Sequence, residues 1–395
     1  MLDFEFYAPT RVLFGRNAIT FLPAMLAKYG AKKVMLLHYG ESSPEIPMRE
    51  TRDKLREAPV SYTEFTGIKP NPVLSCVLEG IRFARDENFD FLLAVGGASV
   101  IDTAKAIAAG VRLPEGHDIW EDYFFHKTRF SDALPIGVVL TIPAAGSETS
   151  FGTCLTNEKI QSKRYTGGEA LIPKFAIMNP EYSMTLSPYQ TGCGVCDIVA
   201  HLVERYFVNF ENEDLSDRMI EACIRSLLIN GPILAKYPND YAARAEVMWA
   251  GSIAHNKILE AGRTHGDWAS HDIGHELSGF YDLAHGASLA IVMPAWMKYI
   301  YKHNKSKFSQ FARRVFDVDI AFDKEDNVIL EMISRFENFC RVMGMPTRMS
   351  EAGIDKSKFE QMAESAMKGR KHVGTGNGIV LLGYKEILDI YNLAS

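Results

Sequence analysis

Hydrophobic residues in the first half of the chain follow two alternating patterns. Short, continuous apolar runs predict buried β-strands, and longer stretches with apolar residues every three or four positions predict amphipathic helices. Strands are predicted over 11–15, 32–40, 61–68, 89–97 and 134–144, and helices over 17–29, 50–58, 73–89 and 98–110. Asn17 is a candidate N-cap for the first helix. Repeated strand–helix units predict an α/β domain whose parallel sheet is covered by helices on both faces.

The pattern changes at residues 179–191, beyond which strand-like runs nearly disappear. Helices are predicted over 193–210, 214–231, 240–261, 267–280, 285–304, 306–317, 327–343, 355–368 and 383–393. No internal repeat interrupts either half. We therefore expect an α/β domain over residues 1–187 and an all-α domain over residues 188–395.

Composition narrows the class of protein. The 395 residues include 47% hydrophobic and 23% charged positions, which is ordinary for a globular protein of two or three domains. A net charge of −6 without a long basic stretch argues against a nucleic-acid partner. No apolar run approaches the roughly 18 residues of a membrane helix. The first ten residues, MLDFEFYAPT, do not resemble a secretory signal, and six cysteines are few for this length, so we expect a cytoplasmic protein.

A glycine-containing turn after a predicted strand is a candidate phosphate-binding loop. The segment VGGASVIDTAKAIA begins at Val95 and places Gly96, Gly97 and Ser99 between that strand and the following helix. Glycines let the backbone approach an anion closely, and the first N–H groups of the helix point towards it. The spacing is not GxGxxG, so a tight turn without a ligand explains the pattern equally well.

Two other strand exits carry polar residues. TIPAAGSETS, from Thr141, is a candidate wall of the same cleft, although an ordinary turn with a helix cap explains it at least as well. HYGESS contains Gly40 and Glu41 where many dinucleotide folds recognise the ribose. A carboxylate there accepts hydrogen bonds from a ribose diol and repels a 2′-phosphate. This favours NAD(H) over NADP(H).

Histidines are concentrated in two segments that are typical of a metal site. GCGVCDIVAHLVERYF holds Asp197 and His201, which are four positions apart and share a helix face. The second segment, THGDWASHDIGHELSGFYDLAHGASLA, holds His265, His271, His275 and His285. A carboxylate with imidazoles and no thiolate suits Fe²⁺, Zn²⁺, Mn²⁺ or Co²⁺. Each histidine alone is more often a core or surface residue, but their concentration favours a site.

Cys193 and Cys196 form a CxxC pair at the start of a predicted helix. Such a position lowers a thiol pKa and is compatible with a redox pair or with thiolate ligands. Redox CxxC motifs, however, follow the start of a βαβ unit, whereas this pair opens the helical half. Tight packing of small residues at a helix N-terminus is the favoured interpretation.

These motifs together resemble the iron-containing (group III) alcohol dehydrogenases, and most of all their butanol dehydrogenase-like branch. The resemblance spans nearly the whole chain and rests on FYAPTRVLFGRNA, GIKPNP, GGASVIDTAKAIA, TIPAAGSE, ALIPKFAIMNPEYSMTLSP, DIVAHLVERYF and HDIGHELSGFYDLAHGASLAIVMP. It implies a Rossmann-like dinucleotide-binding α/β domain followed by an all-α domain, in the dehydroquinate synthase-like architecture. It also implies a divalent metal, foremost Fe²⁺, and a homodimer.

The resemblance assigns roles to individual residues. The implied metal ligands are Asp197, His201, His271 and His285, and His275 corresponds to a non-ligand histidine near the nicotinamide, a candidate proton relay. The implied cofactor contacts are Gly96, Gly97, Ala98, Ser99, Asp102, Asn71, Thr141, Ser147 and, less directly, Lys163. One departure bears on specificity: the branch usually has a YGGGS-type turn and prefers NADPH, whereas this chain has YGESS.

The predicted function is metal-dependent hydride transfer between a nicotinamide dinucleotide and a small alcohol or aldehyde, with short aldehydes such as butyraldehyde as substrates. A metal-dependent lyase or cyclase of the dehydroquinate synthase-like type is the alternative. Such sites tend to have Glu in place of the Asp and clustered basic residues, whereas few bases beyond Arg205 and Arg263 lie in these segments. A non-catalytic binding protein that retains the fold is a third possibility.

Overall fold

The structure is a computed structural model and describes residues 1–114, 116–126, 128–210, 213–319 and 324–395. The chain forms two compact units. The first, called here the α/β unit, spans Tyr7–Thr185, and the second, the helical unit, comprises Met1–Phe6 and Leu186–Ser395. The domain division between residues 187 and 188 stays a prediction.

The α/β unit is built on a parallel sheet. Its strands are β1 (Arg11–Phe14), β2 (Lys33–Leu37), β3 (Ser61–Phe65), β4 (Phe91–Gly96), β5 (Ile136–Leu140) and β8 (Phe175–Met178). Their order is β1-β8-β5-β4-β2-β3, and every pair is parallel. Strands β4 and β5 are buried at every position, which explains their continuous apolar sequence.

The sheet is connected by helices, as the alternating pattern predicts. They are α1 (Leu22–Lys28), α2 (Glu45–Glu57), α3 (Leu74–Asp86) and α4 (Ala98–Arg112), with a π-helix over Ile119–Phe125. One core cluster of this unit packs β2, β4, β5 and β8 against α1 and α2. The helix predicted from residue 17 begins instead as a 3₁₀ turn, and the Asn17 side chain makes no capping hydrogen bond.

An antiparallel hairpin in this unit has no counterpart in the predicted elements. It consists of β6 (Gly152–Asn157) and β7 (Ser162–Gly167). Its strands GTCLTN and SKRYTG are polar, so they lack the apolar runs by which the other strands are recognised. Gln161 takes a left-handed conformation (φ +49°) in the turn.

The helical unit contains nine α-helices among its described residues. They are α5 (Pro188–Tyr206), α6 (Asp214–Lys236), α7 (Tyr241–His255), α8 (Ala269–Tyr281), α9 (His285–Ile300), α10 (Lys305–Phe316), α11 (Glu325–Val342), α12 (Phe359–Met367) and α13 (Tyr384–Ala394). A single hydrophobic cluster runs through the unit from α5 to α13. The predicted fold class, a parallel-sheet domain followed by a helical one, is confirmed. Among the described helices none is long and apolar enough to cross a membrane.

Helix boundaries differ from the prediction for local reasons. Helix α5 begins at Pro188 because Ser187 and Gln190 form a capping box. Helix α7 ends at His255, ahead of the left-handed Lys257 (φ +73°), rather than at residue 261.

Candidate metal centre and cofactor-binding loops

The glycine turn after β4 is closely packed. Gly96 ends β4 and Gly97 precedes α4, which starts at Ala98. A Cβ on Gly96 would lie 2.5 Å from Val100 Cγ2, and one on Gly97 would lie 2.8 Å from Ile142 Cβ. Close packing by itself therefore requires glycine at both positions. The first N–H groups of α4 have no acceptor within their own helix, which leaves them suited to an anion.

Three more of the predicted cofactor residues lie near this turn. The Thr141 N–H donates to Gly96 O (3.0 Å), and Thr141 is buried. Ser147 Oγ donates to Asp102 Oδ1 (2.6 Å), and the N–H of Cys154 donates to Asp102 Oδ2 (2.9 Å). Burial raises the pKa of the Asp102 carboxyl. Asp102 thus links α4 by hydrogen bonds to the segments that contain residues 147 and 154.

Two unpredicted side chains support the same region. Tyr39 follows β2, and its hydroxyl hydrogen bonds with Gly97 and Ser99, although burial raises its pKa to about 12. Lys105 Nζ donates to Ser147 O (2.7 Å), Ser150 O (2.9 Å) and Gly152 O (2.9 Å). Burial lowers the pKa of this lysine to about 8. Neither contact can be read from spacing, because the partners lie far apart in the chain.

Asn71 and Lys163, both predicted to contact the cofactor, meet each other. Lys163 Nζ on β7 donates to Asn71 Oδ1 (3.1 Å), and Asn71 has a left-handed backbone (φ +54°). The 3₁₀ turn Gly40–Ser42 contains the other predicted pair. The Gly40 N–H (φ +80°) donates to Nδ1 of His38 (3.1 Å), and Glu41 is exposed.

The carboxylate and imidazoles predicted as metal ligands come together in the helical unit. Ligand atoms of Asp197, His201 and His271 all lie within 4.8 Å of one another, and all three residues are buried. Asp197 Oδ1 is 3.6 Å from Nε2 of both His201 and His285. The His275 ring lies with its centroid 5.0 Å from that of His285. Helices α5, α8 and α9 thus contribute to one cluster.

The donor set fits a divalent cation. Burial, followed by the charges of neighbouring imidazoles and Arg205, lowers the pKa of His201 well below its usual value, which keeps its ring neutral. Nε2 of His271 is buried and has no hydrogen-bond partner among the described residues. A carboxylate with several imidazoles, one of which has a buried ring nitrogen without a hydrogen-bond partner among the described residues, matches the ligand preferences of Fe²⁺ or Zn²⁺.

Two aromatic residues outside the predicted ligand set pack against the cluster. The His255 ring stacks on His201 at 4.8 Å, and its Nδ1 lies 2.9 Å from Nη2 of Arg205. Trp268 adopts φ +62° and stands edge-on to His271 at 5.0 Å. A left-handed backbone is uncommon for so large a side chain and is typical of functional sites.

The remaining candidates lie elsewhere. The His265 side chain is 71% exposed and contacts Glu260. All six cysteines are free thiols, and Cys193 contacts Met345 (Sγ–Sδ 3.5 Å). Burial raises the pKa of Cys193 to about 11, and a hydrogen bond with Cys340 together with burial raises that of Cys196. Neutral, packed thiols agree with the packing interpretation of the CxxC pair.

The chain matches two family models, each within one of the units. The model described as iron-containing alcohol dehydrogenase matches residues 9–180, and the C-terminal model of the Fe-containing alcohol dehydrogenase family matches residues 191–394. The protein therefore belongs to the iron-containing alcohol dehydrogenase family. Membership implies a divalent metal and a nicotinamide cofactor.

Individual relatives show which members of the family this chain is similar to. The chain is 37% identical to a probable NADH-dependent butanol dehydrogenase of Bacillus subtilis, over 95% of this chain and 96% of that protein. It is 34% identical to the NADPH-dependent aldehyde reductase YqhD of Escherichia coli, over 96% and 97%. The crystal structure of NADH-dependent butanol dehydrogenase A from Thermotoga maritima superposes with a TM-score of 0.94 at 36% identity, covering 100% of this chain and 99% of that one.

Proposed function

We propose that this enzyme reduces short aldehydes such as butyraldehyde to alcohols with NADH, at a divalent metal held by Asp197, His201, His271 and His285. The observation that carries the proposal is the buried cluster of ligand atoms within 4.8 Å. Relatives named as butanol dehydrogenases support the substrate class. The relatives reported above are dehydrogenases and reductases, so the lyase or cyclase alternative gains no support from them.

Different residues of this chain have different roles in the proposed reaction. When bound, the metal supplies Lewis-acid polarisation of the substrate oxygen and the nicotinamide supplies the hydride. The Asp197 carboxylate and the three imidazoles would hold the cation, while the turn at 96–99 would offer N–H groups to the cofactor's pyrophosphate. His275, beside His285, is the proposed relay that moves a proton between solvent and product.

Metal analysis combined with turnover tests this proposal. Wild-type protein loaded with Fe²⁺ or Zn²⁺ should oxidise NADH with butyraldehyde, and His271→Ala should lose both bound metal and turnover. His265→Ala is the matched control, because that imidazole is exposed and contacts Glu260 instead. His271→Ala protein with full metal content and turnover would remove the proposed centre. Bound metal without turnover on any aldehyde would instead support the non-catalytic alternative.

We further propose a preference for NADH over NADPH, set by Glu41. Its carboxylate is exposed on the Gly40–Ser42 turn and repels a 2′-phosphate. Glu41→Gly, which restores the glycine of the YGGGS-type turn, should raise kcat/KM for NADPH about tenfold, with kcat/KM for NADH changed less. Wild type that prefers NADPH would contradict this assignment.

We also propose a homodimer in the cytoplasm. Leu2, Phe4 and Phe6 are 43–54% exposed, and β1 is an edge strand of the sheet. Exposed apolar residues and unpaired strand edges favour association with a second copy. Free thiols at all six cysteines agree with a reducing compartment. Sedimentation equilibrium of wild type should give twice the chain mass, and a monomer at micromolar concentration would refute the dimer.

A further inference from the structure

Helix α5 carries a second carboxylate on the face that bears Asp197 and His201. Glu204 follows His201 by three positions and Asp197 by seven, so the three side chains lie along one helix face. Glu204 is fully buried, with 0% exposure. Its position makes it a neighbour of the metal ligands without being one of them.

Glu204 forms hydrogen bonds with the segment that carries His271, the third proposed ligand. Its Oε1 accepts a hydrogen bond from the backbone N–H of His271 (3.1 Å) and another from the Ser270 hydroxyl. The same oxygen lies 3.2 Å from Nδ1 of His271. Because Oε1 already accepts the backbone N–H, it is also the acceptor in this contact, and Nδ1 donates its proton to it.

The proton on Nδ1 decides what the other ring nitrogen does. A neutral imidazole protonated at Nδ1 has its lone pair at Nε2. Nε2 of His271 is buried and has no hydrogen-bond partner among the described residues. His271 is also one of the three residues whose ligand atoms cluster. The contact with Glu204 therefore leaves the lone pair on the nitrogen that is available to a cation.

The contact has the form of a carboxylate–histidine–metal arrangement, in which an outer carboxylate accepts from the ring nitrogen that does not bind the cation. Among the described residues no lysine or arginine forms an ion pair with Glu204, while the buried Asp267 carboxyl interacts with it electrostatically.

We propose that Glu204 is the positioning residue that fixes the tautomer and the orientation of His271 for metal binding. The inference rests on the proposed metal centre and extends it by one residue. Helix α5 then provides two ligands and the orienting partner of a third, so one helix organises most of the site.

Metal affinity, measured apart from turnover, tests the role. The test strips the metal from four full-length proteins and titrates each with Co²⁺ against a competing chelator. The four are wild type, Glu204→Gln, Glu204→Leu and Ser270→Ala. Loss of an outer carboxylate partner typically weakens metal binding about 10–100-fold, and we expect Glu204→Leu in that range. Glu204→Gln keeps an acceptor for Nδ1–H, so its loss of affinity should be smaller. Ser270→Ala should lose only a few-fold in affinity.

Glu221→Gln is the matched control. Glu221 is equally a buried carboxylate of this unit, but it accepts from the Tyr206 hydroxyl (2.8 Å) and lies outside the proposed centre. Its amide variant should therefore bind Co²⁺ within about twofold of wild type.

A second readout follows the tautomer itself. Long-range ¹H–¹⁵N spectra of metal-free, ¹⁵N-histidine-labelled protein should show His271 protonated at Nδ1 in wild type and mixed tautomers in Glu204→Leu. If Glu204→Leu does not fold, Glu204→Gln and Ser270→Ala decide the affinity test. Unchanged Co²⁺ affinity in the folded Glu204 variants, or the same tautomer throughout, would overturn the inference. His271→Ala distinguishes the two ways in which the test can fail. If the Glu204 variants and His271→Ala all bind Co²⁺ like wild type, the proposed metal centre is wrong. If the Glu204 variants bind like wild type but His271→Ala binds weakly, only the role of Glu204 is wrong.

Discussion

At the scale of single residues, the position of His285 depends on its neighbour Gly286. A Cβ built on Gly286 would lie 2.0 Å from the carbonyl oxygen of Cys193 and 2.6 Å from its carbonyl carbon. Backbone atoms cannot yield as a flexible side chain does. The absence of a side chain lets the first turn of α9 meet α5, which holds His285 Nε2 at 3.6 Å from Asp197 Oδ1.

Gly286→Ala should therefore impair metal binding without altering any ligand. The added methyl group must push α9 away from α5, and overpacking of this kind costs about 1–3 kcal/mol. We expect Co²⁺ affinity to fall at least tenfold, measured by chelator competition, together with a lower melting temperature. Gly231→Ala is the control, since the nearest atoms there belong to side chains of Met343 and Val195. Wild-type affinity in Gly286→Ala would show that the close approach is not needed.

The sequence predicted which side chains cluster in the helical unit better than it predicted their surroundings. Asp197 and His201 could be paired from their helical spacing, and the family motif singled out His271 and His285. Glu204 was accessible in principle, because D-x₃-H-x₂-E places three functional groups on one face. Lys105 and His255 were not, since each acquires its role from segments distant in the chain, and a lysine on a predicted helix is usually exposed.

At the scale of elements, α4 holds the loop after β5 through one lysine. Lys105 is fully buried, and its ammonium group donates to carbonyls of Ser147, Ser150 and Gly152. Those residues connect β5 to β6, and Ser147 is a predicted cofactor contact. The lysine therefore shapes a predicted wall of the cofactor site.

Lys105→Met should weaken NADH binding by releasing this loop. Each buried carbonyl that loses its donor costs about 1–3 kcal/mol, so the loop will rearrange rather than keep its present course. We expect the NADH dissociation constant, followed by fluorescence titration, to rise about tenfold, a loss of roughly 1.4 kcal/mol. The metal content should stay that of wild type. Lys54→Met, which alters a lysine paired with Glu57 on α2, should leave NADH affinity unchanged. Unaltered affinity in Lys105→Met would contradict the assignment.

A second link at this scale joins β3 to α2. Arg52 donates through Nε and Nη2 to both carboxylate oxygens of Glu64 (2.8 and 2.9 Å), and His38 Nε2 lies 2.9 Å from Oε2. The Arg52 hydrogen bonds are the main cause that lowers the pKa of Glu64 to about 2, from 4.5. The link steadies the strand end that leads into the Gly40–Ser42 turn.

The low pKa of Glu64 gives a defined pH dependence of stability. Because the folded-state pKa lies below the unfolded one, the stabilisation is complete above about pH 4.5 and is lost as the pH falls towards 2. Discounted for a side chain that is partly exposed to solvent, it should amount to about 1 kcal/mol. Urea denaturation of metal-free wild type and Glu64→Gln between pH 6 and pH 3 should show their difference shrinking as the pH falls. A difference that stays constant would argue against the link.

Elements with strong periodicity were predictable, and the exceptions have physical reasons. Strand β4 is apolar at every position because both faces of the sheet are covered. The β6–β7 hairpin was missed because its strands are polar in sequence, and hydrogen bonds link β6 to Asp102 and Lys105 of α4. Local sequence carries no record of those tertiary contacts.

At the scale of the whole molecule, each unit has a core of its own. One hydrophobic cluster lies within Tyr7–Thr185 and another within the helical unit. All four proposed metal ligands belong to the helical unit, whereas all the proposed cofactor-binding residues belong to the α/β unit. Metal binding and dinucleotide binding can thus be perturbed separately.

Removal of the metal should therefore destabilise one unit selectively. A ligand that binds only the folded state at 1,000 times its dissociation constant stabilises it by about 4 kcal/mol, and the metal-free cluster leaves buried polar groups such as His271 Nε2 without partners. After chelation, hydrogen exchange should accelerate in α5, α8 and α9, while β4, β5 and α4 keep their protection and NADH still binds. Zn²⁺ should restore the protection, and in His271→Ala the chelator should change nothing further. Equal loss of protection in the parallel sheet, or none in the three ligand-bearing helices, would contradict a metal centre confined to the helical unit.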